Sequence, residues 1–395
     1  MTGRDPQEAH RVATPLELLF DLTFATSLGL AASDAASVLA DGHVLAGVVG
    51  FGFASFAICW AWINFSWFSS AYDTDDWVFR VVTMVQMIGV LVLAAGVPRM
   101  FASLAHTGRI DNSVMVLGYV VMRVPLVFQW LRAAKDDPIR RRVCLTYAAT
   151  ISIAQVGWVM QIVMRLAGPF AIVLGVFLVL VEVTGPVLAE RQAGGTPWHA
   201  HHIAERHSLF AIIALGEGVV GTVAAISAVI DRHGWTLDAV LVGLAGMGLT
   251  FGMWWVYFLQ PSGEILHRRR DRAPVWGYVQ MLVVTSIVAT GAGLHVAADF
   301  IEGRSAITAI ATVLAVVVPV AVFLGLMYAL SYYLVRRSDI FQAWWLVATG
   351  GAIFATIAAA FSGLDVAECL VILMLAPAVT VVGAESRMVI RPPSP

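Results

Sequence analysis

Charge is scarce in this chain. Only 13% of its 395 residues are Asp, Glu, Lys or Arg, against roughly a quarter in soluble domains, and that shortfall excludes water as the main solvent. Cysteine is almost missing too. Cys59, Cys144 and Cys369 lie inside apolar runs without metal-type spacing, so they read as small packing residues and not as a disulfide framework or a ligand set. There is no Gly-Lys phosphate loop, no nucleophile elbow and no zincin motif, and no polar stretch is long enough to form a soluble domain that would host one. Nothing implies a cofactor. The polar segment Met1 to Ala13 has no basic n-region followed by a short apolar core, so insertion is expected to rely on the first spanning helix itself. With a net charge of -2, nucleic acid is not an expected partner; the lipid bilayer is.

What the chain has in abundance is apolar surface. The hydrophobic fraction is 59% and the mean hydropathy +0.82. The apolar residues come in blocks of about 20, the length a helix needs to cross a ~30 Å hydrocarbon core at 1.5 Å per residue. These blocks show no period-2 alternation, so helices that satisfy their own hydrogen bonds are expected instead of a barrel. The expected fold is all-α, with about twelve transmembrane helices. The spans read as 16 to 38, 44 to 68, 78 to 97, 113 to 133, 143 to 164 and 168 to 189, then 207 to 230, 235 to 259, 275 to 297, 306 to 334, 341 to 361 and 366 to 386.

Arginine distribution gives the orientation. With the N-terminus inside, Arg4, Arg11, Arg80, Arg132, Lys135, the turn Arg140 to Arg142, Arg191, Arg206, the turn Arg268 to Arg272, Arg336, Arg337, Arg387 and Arg391 fall on the cytoplasmic side. The other side receives Arg99, Arg109, Arg165, Arg232 and Arg304. That bias predicts that both termini lie in the cytoplasm. Trp67, Trp77, Trp130, Trp198, Trp235, Trp276 and Trp344 fall near expected helix ends, where indoles favour the interface. At one constant offset, Val85, Gln86 and Met87 align with Val279, Gln280 and Met281, Trp60 with Trp254, and Gly52 with Gly246. This weak repeat suggests two parallel six-helix halves, 1–190 and 207–395, joined by a cytoplasmic linker at 191–206. Chance similarity among apolar stretches explains it equally well.

The residues that stand out are carboxylates at lipid depth, each costing roughly 2.5 to 3.5 kcal/mol on insertion scales unless given a partner, a cavity or a proton. Glu17 and Asp21 share a helix face. Thr14 with Glu17 also fits a capping box, with Pro15 at the first helical position, whereas Asp21, one turn deeper, has no capping explanation. Glu217, between Gly216 and Gly218, lies halfway through its apolar run, and Glu182 precedes Gly185 and Pro186. Arg123, beside Pro125, is the buried cation expected to pair with Asp21 or Glu217; a purely structural ion pair is the competing reading. The cluster His199, His201, His202, Glu205 and His207 has metal-type residues. Its place after Gly and Pro at the cytoplasmic boundary favours a solvated interface, and no metal site is expected. The Arg-rich turns need only the positive-inside rule and attraction to anionic headgroups.

Two segments resemble the bacterial low temperature requirement A (LtrA) family: Thr14 to Phe24, reading TPLELLFDLTF, and Ala204 to Glu217, reading AERHSLFAIIALGE. The resemblance runs over nearly the whole chain. It implies a multi-pass membrane protein whose family name comes from a growth requirement in the cold, and by position it singles out Glu17, Asp21, Glu205, Arg206, His207 and Glu217. Taken together, these features point to a secondary transporter or permease for a small solute, with a proton as a fitting coupling ion and Asp21, Glu217 and Arg123 lining a central site. A membrane sensor or scaffold tied to cold growth, or an embedded enzyme using His199 to His207, are the alternatives.

Overall fold

A computed structural model describes residues 1–6, 8, 11–166, 168–335 and 340–390. Every regular element among them is helical. In order these are α1 (Pro15–Ala40), α2 (Val44–Tyr72), α3 (Trp77–Thr107), α4 (Ser113–Asp136), α5 (Arg141–Val163), α6 (Gly168–Glu190) and α7 (Ala200–His233). Then follow α8 (Leu237–Phe258), a short α9 (Ser262–Arg268), α10 (Ala273–Ile301), α11 (Ala309–Val335), α12 (Ile340–Phe361) and α13 (Val366–Ile390). Twelve of them are long and apolar enough to cross a membrane. Each expected span has its helix, and the fold is the polytopic all-α architecture that composition implies. Arg336, Arg337 and Arg391, which the orientation argument used, lie outside the described residues.

One boundary matters more than the others. The seventh span, expected from 207, begins at Ala200, because a helix continues through polar residues wherever they find partners, whereas a hydropathy window stops at them. The segment His201 to Arg206 is therefore the first turns of α7, not loop. The reading of the histidine cluster as solvated is corrected by the same fact: His199, His202 and His207 are buried. Three of the tryptophans assigned to the interface are buried instead. Trp130 stacks on Tyr147 with ring centroids 4.1 Å apart, and Trp198 and Trp276 are also buried, whereas Trp77, Trp235 and Trp344 are exposed.

The chain divides into two compact units. The first comprises Met1–Ala31, Phe53–Leu209 and Leu266–Pro274; the second comprises Ala32–Gly52, Phe210–Ile265 and Val275–Pro395. In the first, α3, α4, α5 and α6 pack consecutively. Small residues set the closest approach, since a methyl group on Gly118 would run into the backbone of Leu93 and the carbonyl of Gly89, the close packing that drives helix association in lipid. In the second, α8, α11, α12 and α13 pack against one another, with Gly221 against Gly291 and Gly252 against Pro377 as close approaches. The loops are held by local ion pairs. Asp76 caps α3 by accepting from the Phe79 N–H at 2.9 Å, and it also receives Arg132 at 2.6 Å. The Arg132 guanidinium holds the Asp76 carboxyl below its ordinary range.

Candidate functional site

The N-terminal turns of α1 and α7 meet in the first unit through charge. Thr14 and Glu17 form the expected capping box, with the Thr14 N–H donating to Glu17 Oε2 at 2.9 Å and the Glu17 N–H to Thr14 Oγ1 at 3.3 Å. Capping does not exhaust the carboxylate. Arg206 Nη1 donates to Glu17 Oε1 at 2.9 Å, and His202 Nε2 lies 3.1 Å from Oε2. One turn deeper, Arg206 grips Asp21 in a bidentate fork, Nε to Oδ2 at 3.0 Å and Nη2 to Oδ1 at 2.5 Å. Trp62 of α2 donates to the same Oδ1 at 2.6 Å, and Ser69 accepts from Arg206 Nη1 at 3.1 Å. Glu17, Asp21, His202 and Arg206 are each 0% exposed. Their helical spacing explains the fit: Glu17 and Asp21 are four apart on α1, as His202 and Arg206 are on α7, so two matched i, i+4 faces meet.

The surroundings continue the pattern. Arg11 donates to the carbonyls of Ser69 and Ser70, and burial, with Arg4 beside it, brings its guanidinium down to about 10. Burial pushes the nearby Asp73 carboxyl up. His207 bonds the Ile203 carbonyl at 2.8 Å and meets the Trp62 ring edge-on at 4.8 Å. Glu205, half-buried, accepts from the Ala13 N–H at 3.2 Å. His199 bonds the Glu8 carbonyl at 2.9 Å, and burial lowers its imidazole below the ordinary range. The imidazoles thus turn to different partners, and among the described residues no three His, Cys, Asp or Glu side chains are arranged to hold a metal ion. The second Arg-rich turn does more than follow the positive-inside rule: Arg270 lies 3.9 Å over the Trp198 ring and donates to the Trp198 carbonyl at 2.8 Å, and Arg272 is buried.

A second charged cluster of the first unit lies near mid-span. Arg123 of α4 pairs with Glu182 of α6 at 3.1 Å, both almost fully buried. This corrects the expected pairing of Arg123 with Asp21 or Glu217: Asp21 already has Arg206, and Glu182 is the carboxylate that packing brings to α4. Trp60 donates to Glu182 Oε2 at 2.8 Å, Tyr119 to Oε1 at 3.2 Å and Gln155 to Oε1 at 3.3 Å. Tyr119 also receives Arg123 Nη2 at 2.5 Å, and it lines a small apolar cavity of about 30 Å³ with Phe53, Phe56, Leu93 and Trp158. Two of the three indoles of α2 therefore serve the clusters, Trp62 toward Asp21 and Trp60 toward Glu182. Sequence reasoning assigned neither to a charged site, and Trp60 entered it only as a repeat position. Glu217, in the second unit, has its own partner, His295 Nε2 at 3.4 Å, and both remain partly exposed.

The network is thus a set of buried opposite charges held by indole, hydroxyl, amide and guanidinium donors. A family model described as bacterial low temperature requirement A protein (LtrA) matches residues 12–382. An uncharacterised protein of Rhizobium meliloti (strain 1021) is similar, 25% identical over 295 residues that cover 70% of this chain and 67% of that protein. No solved structure matches the chain. Sequence, helical architecture and family match agree: the chain belongs to the bacterial low temperature requirement A family and is a multi-pass membrane protein.

Proposed function

We propose that the chain is a secondary transporter or permease of the bacterial inner membrane, moving a small charged solute, with both termini in the cytoplasm. The observation that carries this reading is the Arg206 fork on Asp21 and Glu17, two carboxylates with no exposed surface inside helices that span lipid. Groups so costly to bury are rare in membranes and mark solute paths and proton relays. Arg123 with Glu182 supplies a second charged station in the same unit, and Glu217 with His295 supplies a partly accessible one in the other. In this reading the two six-helix halves suggested by the weak repeat move about such stations.

The test is current from reconstituted protein on a solid-supported membrane, challenged in turn with amino acids, organic acids, sugars and metal cations. Wild type gives a transient current with at least one class. Asp21→Asn, folded as judged by size exclusion and tryptophan fluorescence, gives none. If the wild-type protein is silent to every class, or Asp21→Asn is undiminished, the membrane sensor or scaffold reading takes its place.

A further inference from the structure

The charges of the α1–α7 network do not balance. Glu17 and Asp21 carry two negative charges against one positive on Arg206. Their charged neighbours nearly cancel, with Arg11 and Arg4 set against Asp73 and Glu8 on the side of the N-terminal segment and the end of α2, and the half-buried Glu205 adding negative charge on α7. A net negative charge in a site with no exposed surface is expensive, and one added proton removes it. His202 is the group placed to carry that proton. Its Nε2 faces Glu17 Oε2, an acceptor, so the neutral ring holds its hydrogen on Nε2. Its Nδ1 is buried and has no hydrogen-bond partner among the described residues. Glu17 is poorly placed to hold the proton instead, because Oε1 faces the Arg206 donor and Oε2 faces the Thr14 N–H as well as His202, so a carboxyl O–H would point at a donor.

We propose that His202 is an exchangeable proton site: Nδ1 gains and releases one proton while Nε2–H stays on Glu17, so the network alternates between net negative and neutral. On the reading of this network as the transport site, on which the purpose of the exchange rests, the coupling ion is H⁺. No electrons move; the only bond made or broken is Nδ1–H. His202 lies on the buried face of α7, one turn before Arg206 and one turn after His199, and it and Arg206 each reach one oxygen of Glu17. Its charge state is therefore read most directly by Glu17.

The experiment is ¹⁵N NMR of histidine-labelled full-length protein in nanodiscs. His201–His202 is the single His-His step in the chain, so a carbonyl-to-amide correlation assigns His202 without any substitution. The expected result is an Nε2–H tautomer at high pH, a second proton arriving on Nδ1 within the range of about pH 4 to 9, and a midpoint about one pH unit lower in Glu17→Gln. An Nδ1–H tautomer at high pH, a ring that stays in one charge state throughout, or a midpoint that ignores Glu17→Gln overturns the proposal. The wild-type tautomer decides the matter even if Glu17→Gln does not fold. A silent current assay with His202 titrating as described sinks the transport reading alone; a current with His202 inert sinks only the proton site.

Discussion

Removing the Arg206 guanidinium strands two buried carboxylates at once. Arg206→Gln takes away four hydrogen bonds, two to Asp21, one to Glu17 and one to Ser69. It leaves Asp21 with Trp62, and Glu17 with Thr14 and His202, as their remaining partners. Truncating one partner of a buried pair typically costs about 3 to 5 kcal/mol, because the other charge is left uncompensated. At 1.4 kcal/mol per decade, that lowers the folded population ratio by roughly a hundred- to a few thousand-fold. Asp21→Asn in the same background removes the stranded charge and should recover much of the loss. The assay is a double-mutant cycle on Arg206 and Asp21, with SDS-induced unfolding in mixed micelles followed by tryptophan fluorescence. The expected coupling is above about 2 kcal/mol, whereas the exposed pair Arg80–Asp75 should show none that is measurable. A coupling below about 0.5 kcal/mol at Arg206–Asp21 would refute the claim that the pair is dry and mutually dependent.

Three further outcomes follow from the same structure. Glu182→Gln strands the buried Arg123 and should destabilise by about 3 kcal/mol, while Glu182→Gln combined with Arg123→Met should recover stability; a cycle without coupling would show that Trp60 and Tyr119, not the ion pair, hold that carboxylate. Gly118→Val forces side-chain atoms onto the Leu93 backbone and should cost about 1 to 3 kcal/mol, read as a lower melting temperature; an unchanged melting temperature would mean that α3 and α4 separate freely. The Asp76 carboxyl is held below its ordinary value of 3.8 by Arg132, so its contribution is present above that pH and fades as pH falls through the lower, folded-state value. For a partly exposed pair this amounts to no more than about 1 kcal/mol. Asp76→Asn should accordingly lower stability at neutral pH and leave it unchanged in strong acid; equal losses at both would assign the effect to the cap alone.

Hydropathy made the spans legible because lipid imposes one length and one composition on every crossing helix, and each expected span has its helix. Charge at depth was legible for the same reason: Glu17, Asp21 and Glu182 stand out against their apolar neighbours, and all three are buried. Partners were not legible. Arg123 was assigned to Asp21 or Glu217 because it was the cation that interrupted an apolar run, whereas Arg206 looked like boundary charge beside a polar segment. The difference turned on the start of α7, where His201 to Arg206 are polar enough to lower the hydropathy yet remain helical, with His202 and Arg206 met by Glu17 and Asp21. The usable signal was the i, i+4 spacing of His202 and Arg206 facing the same spacing of Glu17 and Asp21. Trp60 and Trp62 carried no sign of their carboxylate partners, since an indole in an apolar run reads as bulk until a carboxylate is found at its N–H.

The claim beneath the functional reading is that the α1–α7 charges are retained for a task and not for stability. Replacing the trio together, Glu17→Met, Asp21→Leu and Arg206→Met, tests it most directly, because a buried ion network exchanged for apolar residues of similar volume is often neutral or stabilising. The expected protein is as stable as wild type or more so in the mixed-micelle assay and gives no substrate-evoked current after reconstitution. A triple variant that folds and still carries the wild-type current would contradict the claim.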